Sequence, residues 1–266
     1  MKPSLAFLRR APRVNVIHLQ GVISAQSRGS ALNDRSVAPL IEKAFSKGKP
    51  AAVALVLNSP GGSPVQSSLI GARIRRLAEE KKVPVHAFVE DVAASGGYWL
   101  ASAADHIWVD DCSVVGSIGV ISASFGAHEL IARHGIERRV HTAGRSKSML
   151  DPFRPEKEDD VERLGAILSQ VHDAFIAHVK NRRGAKLPED ADLFTGEVWV
   201  GRKAVEQGLA DGIAHLKPKM QELYGEKAKF QVFAKRRGLI PFMGARIAGD
   251  LGLALEERAL FARYGL

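Results

Sequence analysis

A nearly all-apolar run at residues 52–57 is followed by a glycine-rich turn and then by a helix-length segment. Runs without polar alternation are typical of strands buried on both faces, as in sheets that helices cover. The turn, Asn-Ser-Pro-Gly-Gly at residues 58–62, precedes residues 65–80, whose apolar residues recur at helical spacing. A strand, a short connection and a small-residue helix then follow at residues 85–104. This order predicts an α/β protein in which helices cover the strands.

The rest of the chain continues the alternation of short strands and helices. We expect a connection at residues 90–94 and a loop around residue 147. Further strands are predicted at residues 14–19, 107–109, 114–121 and 138–142, and further helices at residues 37–45, 126–134, 155–181 and 202–207. The composition becomes more basic after about residue 225, which predicts one domain over residues 1–225 and a basic arm over 226–266, helical at 251–264.

The charge and the apolar runs exclude several classes of protein. The longest apolar run, residues 51–57, is far shorter than the roughly 20 residues that a bilayer-spanning helix needs. The apolar residues 5–8 are too few for a secretory signal, so we expect a cytoplasmic protein. Because the net charge is +9, peripheral contact with the inner face of a membrane stays an open alternative. The basic residues are scattered and no aromatic-rich basic face accompanies them, which argues against nucleic-acid binding.

Metal and disulfide sites are also disfavoured. Cys112 is the only cysteine, which excludes an intrachain disulfide and a cysteine-cluster zinc site. His128 and His134 are six positions apart, whereas a spacing of four would place both on one face of a helix. No dinucleotide fingerprint or phosphate-binding loop is present. We therefore expect no metal and no organic cofactor.

Ser95 lies at the second predicted junction between strand and helix and is followed by Gly96 and Gly97. Hydrolysis of an amide needs a nucleophile, a base for its proton and donors aimed at the developing oxyanion. The Gly96 amide, at the start of a helix, can be one donor, and Gly61 or Gly62 can supply another because no side chain shields their backbone. Each such donor is typically worth roughly 3 kcal/mol in the transition state.

A candidate base is Lys147, in the sequence Gly-Arg-Ser-Lys at residues 144–147. A lysine can accept a proton only when it is uncharged, and burial favours the uncharged amine. Ser117, flanked by Gly116 and Gly119, is a candidate to orient that amine. No histidine has a sequence context that marks it as a base for Ser95. Together these residues predict a hydrolase with a serine–lysine dyad.

Four motifs, in order and at similar separations, make the chain resemble the signal peptide peptidase A (SppA) family of the Clp protease and crotonase superfamily. They are Asn-Ser-Pro-Gly-Gly at 58–62, Ala-Ser-Gly-Gly-Tyr-Trp at 94–99, Gly-Ser-Ile-Gly-Val at 116–120 and Gly-Arg-Ser-Lys at 144–147. The resemblance covers residues 14–212 and implies a Clp/crotonase-like core of stacked β-β-α units. It also implies that Ser95 is the nucleophile, Lys147 the general base and Ser117 the partner of the lysine, with the glycine turn at the oxyanion hole.

The resemblance further implies a serine endopeptidase that binds short, extended, apolar peptides, such as cleaved signal peptides, as a strand added to a sheet edge. An apolar groove near residues 115–122 and Trp99 would favour small or apolar substrate residues. Family members assemble into rings or domes, which implies a homo-oligomer whose site a neighbouring subunit can complete.

Two alternatives from other classes stay open. A crotonase-like acyl-CoA enzyme would use the paired amides without a serine–lysine pair, and would keep its turnover when Ser95 is replaced by alanine. A non-catalytic oligomeric scaffold would keep the glycine architecture and hydrolyse nothing.

Overall fold

The computed structural model describes residues 11–25, 31–234 and 258–266, and within them a sheet of eight strands is flanked by helices. The strands are β1 (Arg13–Gln20), β2 (Ala52–Ser59), β3 (Val85–Ala94), β4 (His106–Val109), β5 (Val114–Gly116), β6 (Val198–Val200), β7 (Gly212–Ile213) and β8 (Lys229–Phe233). The helices are α1 (Asp34–Ser46), α2 (Pro64–Lys81), α3 (Gly96–Ser102), α4 (His128–Arg133), α5 (Glu158–Arg183), α6 (Gly201–Glu206) and α7 (Leu216–Tyr224). The prediction of an α/β protein is confirmed.

The sheet brings the two predicted glycine turns together at the carboxyl ends of two neighbouring strands. Its order is β6-β5-β3-β2-β1-β8, with β4 paired to β3 and to β7. Every pair is parallel except β5 with β6. Because β2 and β3 are adjacent and parallel, their carboxyl ends lie side by side, with Ser59 opposite Ala93. The glycine turn after β2 therefore lies next to Ser95, which follows β3.

Strand β2 is apolar from residue 52 to residue 57 because both faces of the sheet are covered there. Leu55 and Leu57 point into the larger core, which also contains side chains of α1, α2, α3 and α5. Ala54 and Val56 point to the opposite face and pack with Met220 of α7. This alternation, with a period of two residues, puts each side chain of residues 52–57 in one of two apolar layers.

The first two helices start at polar residues that cap them. Asn33 accepts a hydrogen bond from the Ser36 amide, and the side chain of Ser36 pairs with the Asn33 backbone, which completes a capping box for α1. Ser63 accepts from the amide of Gln66, and proline occupies the first turn of α2. Fixed starts of this kind hold the helices in register with the turns that precede them.

The fifth helix is anchored at its carboxyl end by a buried ion pair. The guanidinium of Arg183 donates to the Gly208 carbonyl and, at 2.8 Å, to Asp211. Burial alone would raise the pKa of Asp211, but hydrogen bonds from Arg183 and Lys186 hold that pKa below its ordinary value. The pair therefore stays charged near neutral pH. Asp211 also accepts a hydrogen bond from the Ile107 amide of β4, so the ion pair links α5 to the sheet beside β4 and β7.

Three predicted elements differ in the structure. The expected connection at residues 90–94 is wrong, because β3 continues through a register shift to Ala94 and there pairs with the ends of β2 and β5. The strand expected at 114–121 ends at Gly116, since Ser117 has a φ of 51° and leaves extended geometry. Residues 138–142 are irregular and have no strand beside them among the described residues. The other predicted strands and helices are present, with ends shifted by a few residues.

Part of the predicted basic arm belongs to the sheet. Strand β8 pairs in parallel with β1, from Arg13 opposite Lys229 to Ile17 opposite Phe233. Residues 258–262 are helical, as expected, whereas residues 263–264 form a turn. Residues 251–257 of the predicted helix lie outside the described residues. The division of the chain at residue 225 stays a prediction.

Candidate functional site

Ser95 occupies a strained turn between β3 and α3. Its φ of 52° and ψ of −121° lie in a region that residues with side chains rarely adopt, at a cost of about 1–3 kcal/mol. Two backbone hydrogen bonds hold this geometry, from the Ser95 amide to the Gly116 carbonyl at 2.8 Å and from the Trp99 amide to the Ser95 carbonyl at 3.0 Å. The half-buried side chain therefore stands at a fixed point where strand, helix and the end of β5 meet.

Glycines let the two turns approach this serine. A methyl group on Gly61 would lie 2.8 Å from Ser95 Cβ, and one on Gly96 would lie 2.3 Å from Ser67 Oγ. Contacts this short exclude any side chain at either position without a shift of the surroundings. Close packing therefore explains both glycines, and the φ of 101° is a second reason for glycine at Gly61.

Two backbone amides beside Ser95 have no protein acceptor among the described residues. They belong to Gly62 and Gly96, and the Gly62 nitrogen lies 3.4 Å from the position that a Gly96 Cβ would take. The amide of Gly61, by contrast, donates to Ser59 Oγ at 3.2 Å. The amides of Gly62 and Gly96 can thus donate to an anionic oxygen beside Ser95. The oxyanion role expected of Gly61 stays a prediction.

Ser117 lies on a second tight turn in the same cavity. Its amide donates to the Glu197 carbonyl at 2.6 Å, and the Gly119 amide donates to the Ser117 carbonyl at 2.9 Å. The Ser117 hydroxyl accepts a hydrogen bond from the Tyr264 hydroxyl at 3.4 Å. A segment near the end of the chain therefore contacts the residue predicted to orient a lysine.

The cavity that contains Ser95 and Ser117 has a volume of about 660 Å³ and a mainly apolar lining. One wall is formed by Trp99 of α3 with Val171 and Phe175 of α5, and Val120 and Ile121 belong to the lining as well. This agrees with the groove predicted near residues 115–122 and Trp99. Residues Leu260, Arg263 and Tyr264 line the cavity too.

Trp99 is held in this wall by stacking. Its ring lies 5.1 Å from that of Phe175 and 4.4 Å from that of His178, nearly parallel to the latter at 9°. His178 Nε2 lies 3.2 Å from the Trp99 carbonyl, to which it can only donate. Burial lowers the pKa of His178 to about 4, so the ring is neutral at pH 7 and adds no charge beside Trp99.

Lys147 lies apart from this cavity. It sits in a run of turns at residues 143–150, its side chain is exposed, and it is not part of the lining. Within one chain the structure brings together Ser95, Ser117, Gly62 and Gly96, with Gly61 packed beneath them, and leaves Lys147 outside.

Sequence reasoning missed the contribution of α5 and of the last described residues. Val171, His172 and Phe175 reach the cavity although no motif marks them. Their spacing of three to four residues indicates that they lie on one face of a helix. The spacing does not show which part of the molecule that face packs against.

The chain has recognisable relatives. The family described as Peptidase family S49 matches residues 77–229. A protein named serine protease SPPA, chloroplastic, from Arabidopsis thaliana is 31% identical over 189 residues, which are 71% of this chain and 28% of that protein. A putative signal peptide peptidase SppA from Enterococcus faecium is 27% identical over 175 residues, 66% of this chain and 51% of that protein.

A relative with another name shares more of this chain. A protein of Brucella abortus (strain 2308) named Na(+)/H(+) antiporter NhaA is 47% identical over 271 residues, 95% of this chain and 37% of that protein. This chain thus spans about half or less of the length of these three relatives. In the described ranges, we find no helix with the length and apolar character required to cross a bilayer.

Proposed function

Because this chain belongs to peptidase family S49, we propose that it is a serine peptidase whose nucleophile is Ser95. The observation that carries the proposal is the placement of Ser95 on a strained turn in a mainly apolar cavity, beside the Gly62 and Gly96 amides, which have no acceptor among the described residues. A nucleophile, two oxyanion donors and space for an extended apolar chain are what acyl transfer from a peptide requires.

In the proposed reaction Ser95 Oγ attacks the carbonyl carbon of the scissile bond while its proton passes to the amine of Lys147. The carbonyl oxygen becomes an oxyanion that accepts from the Gly62 and Gly96 amides. The C–N bond then breaks, the proton moves from Lys147 to the leaving amine, and an acyl-enzyme forms. Water, deprotonated by the same amine, releases the acid and regenerates Ser95. Ser117 accepts a hydrogen bond from Lys147 and so directs its lone pair.

We propose that Lys147 reaches Ser95 from a second copy of the chain. Lys147 belongs to the 119–157 segment, which contributes no residue to the hydrophobic core. Long segments without a core of their own are usually functional or bind a partner. The same segment exposes Ile121, Phe125, Leu130 and Ile136, with Phe125 91% exposed. Association with another copy would bury these side chains and would supply the burial that an uncharged lysine needs.

The proposed substrates are short, extended, apolar peptides, which include cleaved signal peptides. The wall of Trp99, Val171 and Phe175 provides apolar contact, and the backbone that follows Ser117 offers a place for an added strand. Peptides of this kind bind through main-chain hydrogen bonds, with alternate side chains in pockets. The names of the SppA relatives support this substrate class.

The test is hydrolysis of a fluorogenic apolar peptide, together with labelling by a fluorophosphonate, which reacts with activated serines. Ser95→Ala and Lys147→Ala are each expected to lower kcat/KM by at least about 10³-fold. Ser46→Ala and Lys47→Ala, which alter exposed residues at the end of α1, serve as matched controls. Hydrolysis that survives in Ser95→Ala would refute the proposal, and turnover of an acyl-CoA by that variant would favour a crotonase-like enzyme.

A further inference from the structure

The turn that presents Ser117 is held from two sides. On one side the Ser117 amide donates to the Glu197 carbonyl, which lies just before β6. On the other side His172 Nε2, from α5, lies 3.1 Å from the carbonyl oxygen of Ile118. The side chain of Ile118 is fully buried. Packing of this side chain and the two hydrogen bonds therefore hold the turn together.

Such support is needed because the turn is strained. Ser117 has a φ of 51°, and the hydrogen bond from Gly119 to Ser117 closes a ring of only three residues. Residues in sparsely populated conformations persist only where the surroundings determine them. Without the bond to Ile118, the turn could relax toward the extended geometry that the sequence of residues 114–121 favours, and the Ser117 hydroxyl would leave the cavity.

The chemistry of the contact defines the state of His172. A carbonyl oxygen can only accept, so Nε2 carries a proton and donates it, and in the neutral ring Nδ1 is then the acceptor. An Nε2 that donates to a backbone carbonyl is not free to take a proton from Ser95. His172 lines the same cavity as Ser95. Its hydrogen bond to the Ile118 carbonyl indicates that it supports the turn and does not act as the base.

We propose that His172 is a positioning residue that holds the Ser117 turn and, through it, the amine that activates Ser95. This inference rests on the proposed function and extends it to α5, a helix that carries none of the recognised motifs. The anchor of α5 at Arg183 and the stacking of Phe175 on Trp99 keep the helix, and with it His172, at a constant distance from the turn.

The test compares His172→Gln with His172→Ala in the whole chain as it purifies. The glutamine amide can donate from nearly the position of Nε2 but cannot act as a base at neutral pH, whereas alanine does neither. His172→Ala is expected to lower kcat by about 10- to 100-fold, as a small misplacement of catalytic groups does, with little change in KM. His172→Gln is expected to recover most of that loss. Asp173→Ala, at the exposed neighbouring position of α5, is the matched control.

A second measurement does not depend on activity. Amide hydrogen exchange of the peptide that contains residues 114–121 should become faster in His172→Ala and return toward the original rate in His172→Gln. Equal loss of activity in both variants would overturn the proposal in favour of a catalytic imidazole. Unchanged activity and exchange in His172→Ala would show that the contact supports nothing. Either result leaves the proposed function intact as long as Ser95→Ala and Lys147→Ala are inactive.

Discussion

The sheet region that carries Ser95 and the 119–157 segment that carries Lys147 are built in opposite ways. Around Ser95, the strands are buried and the glycines pack closely against neighbouring backbone and side chains. In the 119–157 segment one short helix, α4, is joined to turns, and large apolar side chains face outward. The first region belongs to the buried core of one chain, whereas the second exposes apolar side chains that the proposed association with another copy would bury. The proposed dyad joins the two regions.

The largest expected effect tests whether the two regions meet between chains. A Ser95→Ala chain and a Lys147→Ala chain are each expected to be inactive, but co-assembled in equal amounts they should regain about a quarter of the original activity. That fraction follows because a site between copies needs an intact serine from one chain and an intact lysine from its neighbour. Hydrolysis assays on co-expressed, co-purified chains would measure it. Activity that stays at zero would place both residues of the dyad in one chain.

A second pair of changes separates folding from assembly. Leu55→Ala, in the centre of β2, should lower the free energy of unfolding by about 2–5 kcal/mol because it leaves a cavity in the core. Phe125→Asp should change that free energy by less than about 0.5 kcal/mol and yet reduce the mass of the assembly and its activity. Denaturation and light scattering report the two quantities. If Phe125→Asp leaves the mass unchanged, the 119–157 segment is not the interface.

A third prediction concerns pH and tests the burial of His86 in the sheet region. His86 Nδ1 accepts from Trp108 Nε1 at 3.4 Å, and its Nε2 therefore carries the proton and donates to the Tyr224 hydroxyl at 3.1 Å. Burial, with a further contribution from His106, lowers the pKa of His86 from 6.5 to about 4. The unfolded chain therefore binds a proton that the folded chain does not, between about pH 6.5 and pH 4.

The sign follows from this difference in protons. Stability attributable to His86 is full above about pH 6.5 and is lost as the pH falls toward 4, by up to about 1.4 kcal/mol per pH unit. His86→Gln should reduce the difference in unfolding free energy between pH 7 and pH 5, as measured by denaturant titration. An identical difference in the original protein and the variant would contradict the assigned state of His86.

The smallest expected effect lies at the contact between the last described residues and the cavity. Tyr264→Phe removes the hydroxyl that donates to Ser117 and leaves that oxygen available to Lys147. A single neutral hydrogen bond contributes about 1 kcal/mol, so kcat/KM should rise by about two- to fivefold. Arg258→Ala, exposed in the same segment, is the control. A fall in kcat/KM would mean that Tyr264 assists the site instead of competing for Ser117.

Much of the fold could be predicted because its signals are local. The apolar run of β2, the helical spacing of α2 and the small residues after Ser95 each report their surroundings within a few residues. The extension of β3 to Ala94 could not be predicted from Glu90 and Asp91, which are polar and exposed. The strand continues past these residues because residues 92–94 pair with β5 and Ala93 also pairs with Ser59 of β2. Such partners lie far away in sequence.

In the candidate site, too, local features could be predicted from the sequence and contacts between distant residues could not. The amino-acid sequence by itself determined the fold class, the position of Ser95 at a junction of strand and helix, and the glycines beside it, because residue size and backbone freedom act locally. Only the tertiary structure decided that the Gly62 and Gly96 amides lie beside Ser95 with no acceptor among the described residues. It also decided that α5 and Tyr264 reach the cavity and that Lys147 lies outside it. Distance between residues remote in the chain depends on packing, and packing is a property of the whole folded molecule.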